Sequence, residues 1–247
     1  MRFPTIRGVI RRRLLINYCA DPDIVGKLIP PGMELDLVDG QAVVGICLIR
    51  LERLTPAWLP SWCPGLTSEN AAHRIAIKCD GQKAVFIPRR DTSSRLNHLA
   101  GGRLFPGEHA LATFDIRADG NTLTFAIRSM DGNLAIDASG HLVDQWPASS
   151  RFSDLETASA FFRDASLGYS STRRQGNYDG VVLDLPNWSV QPFELDHLAS
   201  SYFDDTERFP EGSLTFDHAL FMENQDHRWR TAPSWQQTET TGHTYRS

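Results

Sequence analysis

Residues 101 to 109 read GGRLFPGEH. Two glycines and a Pro-Gly step mark a stretch where backbone shape matters more than burial. Glu108 and His109 stand at its exit, where a strand would start. A carboxylate beside an imidazole can serve as acid or base toward a bound substrate, which makes the two a candidate catalytic couple. His109 can equally face either side of the strand it begins.

Amine chemistry is scarce. Of the 25 basic residues, only Lys27, Lys78 and Lys83 are lysines. Lys78 and Lys83 flank the Asp80-Gly81 turn, and Lys27 lies near the end of a capped helix. A Schiff-base lysine needs a dry pocket in which to lose its proton, so none of the three is expected to be nucleophilic. The eight histidines are scattered singly, and Cys19, Cys47, Cys63 and Cys79 form no C-x-x-C pair. No metal site is expected, and the thiols read as buried cysteines of a reducing compartment. His73, beside Ile75 and Ile77, reads as a core histidine. G-x-S-x-G, P-loop, H-E-x-x-H and dinucleotide motifs are absent, and no cofactor is expected.

The elements that must position these residues are mostly strands. RLLINYC, AVVGICLIRL, HRIAIK, KAVFIP, ALATFDI, TLTFAIR, YDGVVLDL and SLTFDHALFM are short and rich in β-branched and aromatic residues. Asp80-Gly81, Asp119-Gly120-Asn121 and Asp131-Gly132-Asn133 supply residues that accept positive φ, as hairpins require. Helices are expected at DPDIVGKLIPPG, with Asp21 as N-cap and Pro22 at the first position, and from SDLE through TASAFFRDAS, with Ser153 and Glu156 at capping-box spacing and Gly168 as stop. Thr92 to Ala100 is a third candidate. The fold class is mainly β, within α+β: a closed or nearly closed barrel or sandwich with a few helices outside it. One domain is expected over residues 1–231, followed by a polar, mobile tail over 232–247.

At 247 residues, 41% hydrophobic and 22% charged, the chain can bury a sizeable core. A net charge of -5 argues against nucleic-acid binding, and the basic run at 11 to 13 reads as a solvated strand entrance. No stretch approaches the ~20 apolar residues of a membrane span, and the expected location is cytoplasmic, with no membrane partner.

LLINYCADPDIVGKLIPPGMELD, then CDGQKAVFIPRRD, then a helix and RLFPGEH, resemble the acetoacetate decarboxylase-like superfamily. Within it, LIPPGMELD and NWSVQPFELD at 187 to 196 are similar to the uncharacterised branch. The resemblance covers residues ~10 to ~228 and implies a β-barrel with an internal pocket, commonly oligomeric, so a homo-oligomer is an open expectation. In true decarboxylases a lysine in an aromatic-Pro-Lys-Lys turn forms the Schiff base. Counted from Asp91, that turn falls on Phe105-Pro106-Gly107-Glu108, which puts Gly107 at the nucleophile's position and Glu108 at its activating neighbour. A glutamate there would raise a nearby amine's pKa. The family's pocket glutamate falls on Asn70, with Glu69 facing the opposite side. A second pocket acid has no counterpart in AVVGIC, and the family's N-terminal arginine corresponds to Arg11, the triplet leaving its register open by a residue or two.

Asn70 and Arg74 share a strand face by alternation, and with Arg11 and Glu108 they can line a polar pocket for a small anion or carbonyl compound. Alternatively, Arg74 and Glu108 merely pair to satisfy buried charge. Two functions remain open. One is an enzyme without a Schiff base, acting on a small carboxylate- or carbonyl-bearing metabolite, with Arg11 or Arg74 holding the anion and Glu108 or His109 as acid or base. The other is a non-catalytic ligand-binding protein on the same fold.

Overall fold

A computed structural model describes residues 4–60, 62–100, 107–172 and 174–237. Thirteen strands form a single sheet that returns on itself: β1 (Ile6–Ala20), β2 (Glu34–Leu35), β3 (Leu37–Val38), β4 (Gln41–Pro56), β5 (Leu66–Cys79), β6 (Gln82–Thr92), β7 (Ala110–Asp119), β8 (Thr122–Ser129), β9 (Ala135–Leu142), β10 (Leu167–Ser171), β11 (Asn177–Asp184), β12 (Gln191–Ser200) and β13 (Leu214–Gln236). Three helices join them: α1 (Pro22–Val25), α2 (Arg95–Ala100) and α3 (Leu155–Asp164).

The three hairpins anticipated from Asp-Gly steps are present as β5–β6, β7–β8 and β8–β9. Asp80 and Gly81 take φ of 51° and 76°, the paired positive values of a tight hairpin turn. Asp39 and Gly40 repeat the device between β3 and β4.

Two strands change partners along their length, and this closes the sheet twice. Over Ala84–Ile87, β6 pairs with β10, and at Asp91 and Thr92 it pairs with β7. Between these stretches lies Pro88, which has no N–H to offer a ladder. Likewise β13 pairs with β12 over Phe221–Ala219 and with β11 from Arg228 to Gln236. The smaller ring is therefore β13, β1, β4, β5, β6, β10 and β11. The larger one leaves β6 through β7, β8, β9 and β12 before rejoining β13.

Several expectations need correction. The N-cap of α3 is Asp154, whose carboxylate accepts from the Thr157 N–H at 2.7 Å, rather than Ser153. Gly168 is no helix stop: the helix ends at Asp164, and Gly168 lies inside β10. The ordered chain also does not end at 231. Ala232 is buried, Trp235 packs on Tyr178 with ring centroids 5.5 Å apart, and Gln236 still pairs with Asn177. Residues 238–247 lie outside the described residues.

Candidate functional site

A cavity of about 1070 Å³ opens inside the smaller ring, lined by all seven of its strands and by the C-terminal end of α3. Two stretches of its wall fall where β6 and β13 change partners: Arg90 on one strand, Asp226 and His227 on the other.

The strand registers arrange the floor as a grid. Along one row, Asn17 of β1 stands opposite Gly45 of β4, which stands opposite Arg74 of β5. The next row runs Leu15, Cys47, Ala72 and Arg90, and the third runs Arg13, Ile49, Asn70 and Thr92. Small residues at Gly45 and Ala72 leave room for the long side chains beside them. Arg74 uses that room: its guanidinium reaches across Gly45 to donate to the Asn17 side-chain oxygen. A Cβ on Gly45 would sit 3.3 Å from that oxygen and 2.2 Å from the Ile16 carbonyl.

Arg74 is 8% exposed and stacks on Phe162 of α3, 4.6 Å from the ring centroid. Burial lowers its pKa to about 9, Cys47 opposing and Arg13 adding to the fall, so it stays a cation at neutral pH. Arg90 is likewise lowered to about 10 by burial, and its Nε donates to Ser170 Oγ at 3.0 Å. Arg13 donates through Nε to Cys47 Sγ at 3.3 Å and lies over Trp188. None of these three arginines has an ion pair with a carboxylate among the described residues.

Of the residues singled out from sequence, Asn70, Arg74 and His109 line this cavity. Asn70 accepts from the Thr92 hydroxyl at 2.8 Å and donates to Ser68 Oγ at 2.9 Å. His109 is pushed down to about 3, chiefly by burial and then by Arg90, and is therefore a neutral imidazole. Glu108 is exposed and outside the lining, so the two do not meet in the cavity. Gly107 is buried with φ of +83°, and a Cβ there would meet Ser170 Cβ at 2.6 Å. The space in front of Gly107 is already filled. Phe105 and Pro106 lie outside the described residues.

Arg11 must be corrected. It is exposed and hydrogen-bonded to Asn224. A β-bulge between Ile10 and Arg12 shifts the alternation, so that Arg13 rather than Arg11 enters the cavity. Arg12 turns the other way, paired with Glu69 at 3.0 Å over Phe125. The basic triplet is thus three residues with three environments rather than one solvated run.

Lys78 and Lys83 reach Asp36 at 3.0 and 3.9 Å, both about two-fifths exposed, and Lys27 is exposed. No lysine lines the cavity among the described residues. His73 is fully buried, stacked on Tyr202 at 4.1 Å and held neutral at about 3 by burial. Among the described residues no group of three or more His, Cys, Asp or Glu side chains could hold a metal ion, and no helix is long and apolar enough to cross a membrane.

Residues 9–226 match DUF2071, the family described as an uncharacterized conserved protein. The chain belongs to that family. This DUF2071 chain also shares its fold with solved acetoacetate decarboxylase-like structures. The acetoacetate decarboxylase of Legionella pneumophila superposes with a TM-score of 0.61 at 16% identity, covering 94% of this chain and 88% of that one. An acetoacetate decarboxylase-like enzyme from Sphingomonas wittichii RW1 gives 0.58 at 13% identity, with 95% and 93% covered. The enduracididine biosynthesis enzyme MppR, complexed with pyruvate, gives 0.53 at 12% identity, with 94% and 91% covered. No curated protein matches the DUF2071 chain by sequence. At these identities the shared property is the fold.

Proposed function

We propose that the cavity binds a small anionic metabolite carrying a carboxylate beside a carbonyl, and that it does so without an imine. One observation carries this reading: Arg74, which is buried, and Arg13 and Arg90, which are partly buried, all face the cavity and have no carboxylate partner among the described residues. A buried cation without a counter-charge is costly, and a ligand carboxylate supplies that charge in the planar geometry a guanidinium fork matches. The likeness to MppR, whose structure holds pyruvate, supports an oxo-acid as the class.

Neutral His109 fits a hydrogen-bonding role toward the carbonyl oxygen better than that of a base, because an imidazole with a pKa near 3 holds a proton weakly. A second reading, a binding protein without catalysis, is favoured by the position of Glu108 outside the lining.

A thermal-shift and calorimetric screen of pyruvate, acetoacetate and longer oxo-acids against their uncharged amides tests the proposal. Carboxylates should raise the melting temperature, their amides should not, and Arg90→Gln should remove the shift. No shift with any carboxylate would overturn the anion site. Borohydride trapping of one lysine during incubation with acetoacetate would overturn the imine-free part. Turnover without such an adduct would select the enzyme over the binding protein.

A further inference from the structure

Cys47 stands in the middle row of the grid, 7% exposed and facing the cavity. Its sulfur accepts from Arg13 Nε at 3.3 Å, and it lies within electrostatic reach of both Arg74 and Arg90. Across from it Ala72 leaves the space toward Arg90 free of a long side chain. Two of the other thiols are placed differently: Cys19 hydrogen-bonds Asp217 at 3.5 Å and is pushed up to about 12 by burial and that carboxylate, and Cys79 is raised by burial. Cys63 is partly exposed and lines the same cavity.

Two further groups in this wall are poorly satisfied. Arg74 Nε is buried without an acceptor. His227, 2% exposed, has no side-chain partner on either ring nitrogen and interacts only with the Gly8 backbone. It feels the charge of Arg13, the residue that holds the Cys47 sulfur. Buried polar atoms without partners are costly, and in a cavity wall they mark where a ligand's oxygens would fit.

We propose that Cys47 is a covalent-capture site for small carboxylic acids with an electrophilic carbon, the carboxylate being held by Arg74 and Arg90. The inference rests on the anion-binding reading of the cavity. With an oxo-acid, the S–C bond forms as the C=O π bond opens. The electron pair moves to the carbonyl oxygen and the thiol proton ends on that oxygen, giving a thiohemiketal without any co-reactant.

Iodoacetate and iodoacetamide make the test, applied separately to the folded full-length chain with peptide mapping of all four cysteines. In either case the S–C bond forms, iodide leaves with its electron pair and the thiol proton goes to solvent. Ordinary thiols prefer the neutral amide. Cys47 should instead react faster with iodoacetate, by about tenfold, the worth of one charge-assisted hydrogen bond. Pyruvate should protect it. Arg74→Gln should abolish the preference, and Arg90→Gln serves as a second variant if the first folds poorly.

Cys47 left unmodified, or modified faster by iodoacetamide, overturns the capture. If pyruvate still raises the melting temperature in that case, only the role of the thiol falls. If no carboxylate binds, the anion site falls with it.

Discussion

Arg90 and Ser170 are hydrogen-bonded at 3.0 Å, and between them they close the space in front of Gly107. The position that a count from Asp91 assigns to a decarboxylase lysine is therefore blocked as well as empty. Gly107→Lys should lower unfolding stability by roughly 1–3 kcal/mol, because a residue with a Cβ is strained at φ of +83° and must displace Ser170. Urea unfolding measures the loss. Acetoacetate with borohydride should show no new adduct by intact mass.

Arg74→Lys keeps the charge and loses the planar fork that reaches Asn17 while facing the cavity. Affinity for a bound oxo-acid should fall by about tenfold. Titration calorimetry with an unchanged dissociation constant would remove Arg74 from the site.

Gly45→Ala places a methyl 2.2 Å from the Ile16 carbonyl and obstructs the path from Arg74 to Asn17. The strands cannot both stay in register, and a loss of about 3 kcal/mol or more is expected, with weakened ligand binding in whatever fraction folds. Wild-type stability in chemical denaturation would show that the grid is more plastic than drawn.

His73 and His109, each held at about 3, and His227, held at about 4, are neutral when folded, chiefly through burial. Their folded pKa values lie below the ordinary ~6.5, so the unfolded chain takes up protons first as pH falls. Stability should be full above about pH 6.5 and drop between there and about pH 3, by up to ~1.4 kcal/mol per pH unit for each histidine. Denaturant midpoints measured across that window should decline, and His227→Gln should flatten part of the slope.

Truncation after Thr231 removes Ala232 from the core and Trp235 from Tyr178, along with the last pairs to β11. A loss of roughly 2–4 kcal/mol and a clear fall in melting temperature are expected. An unchanged melting temperature would show that the end of β13 contributes little.

The β-rich class was legible because eight segments carried apolar, β-branched runs separated by turn residues, three of the turns being Asp-Gly, and each falls on an observed strand to within a residue. Five strands were not: β2 and β3 are two residues each, β9 reads AIDASGHL, β10 is five residues with a glycine, and β12 mixes a proline with charged residues. Each owes its place to its sheet partners more than to its own pattern. In the site, alternation sufficed for Asn70 and Arg74, which lie on one regular stretch facing β4. It failed for the arginine triplet because a bulge leaves no mark in residue types. Arg90 and His227 were missed because their exposure to the cavity depends on where β6 and β13 change neighbours, a property of the whole ring. The expected place of Glu108 beside the pocket did not survive the positive-φ turn at Gly107 that precedes it.

Because β1, β4 and β5 are each bordered by strands on both sides, the backbone beneath Arg13, Cys47 and Arg74 has little freedom to move. Such a floor behaves as a fixed pegboard. A different ligand would have to be accommodated by exchanging the pegs, since the board itself cannot bend to meet it. The fold can thereby be inherited intact while the chemistry above it is rewritten one side chain at a time.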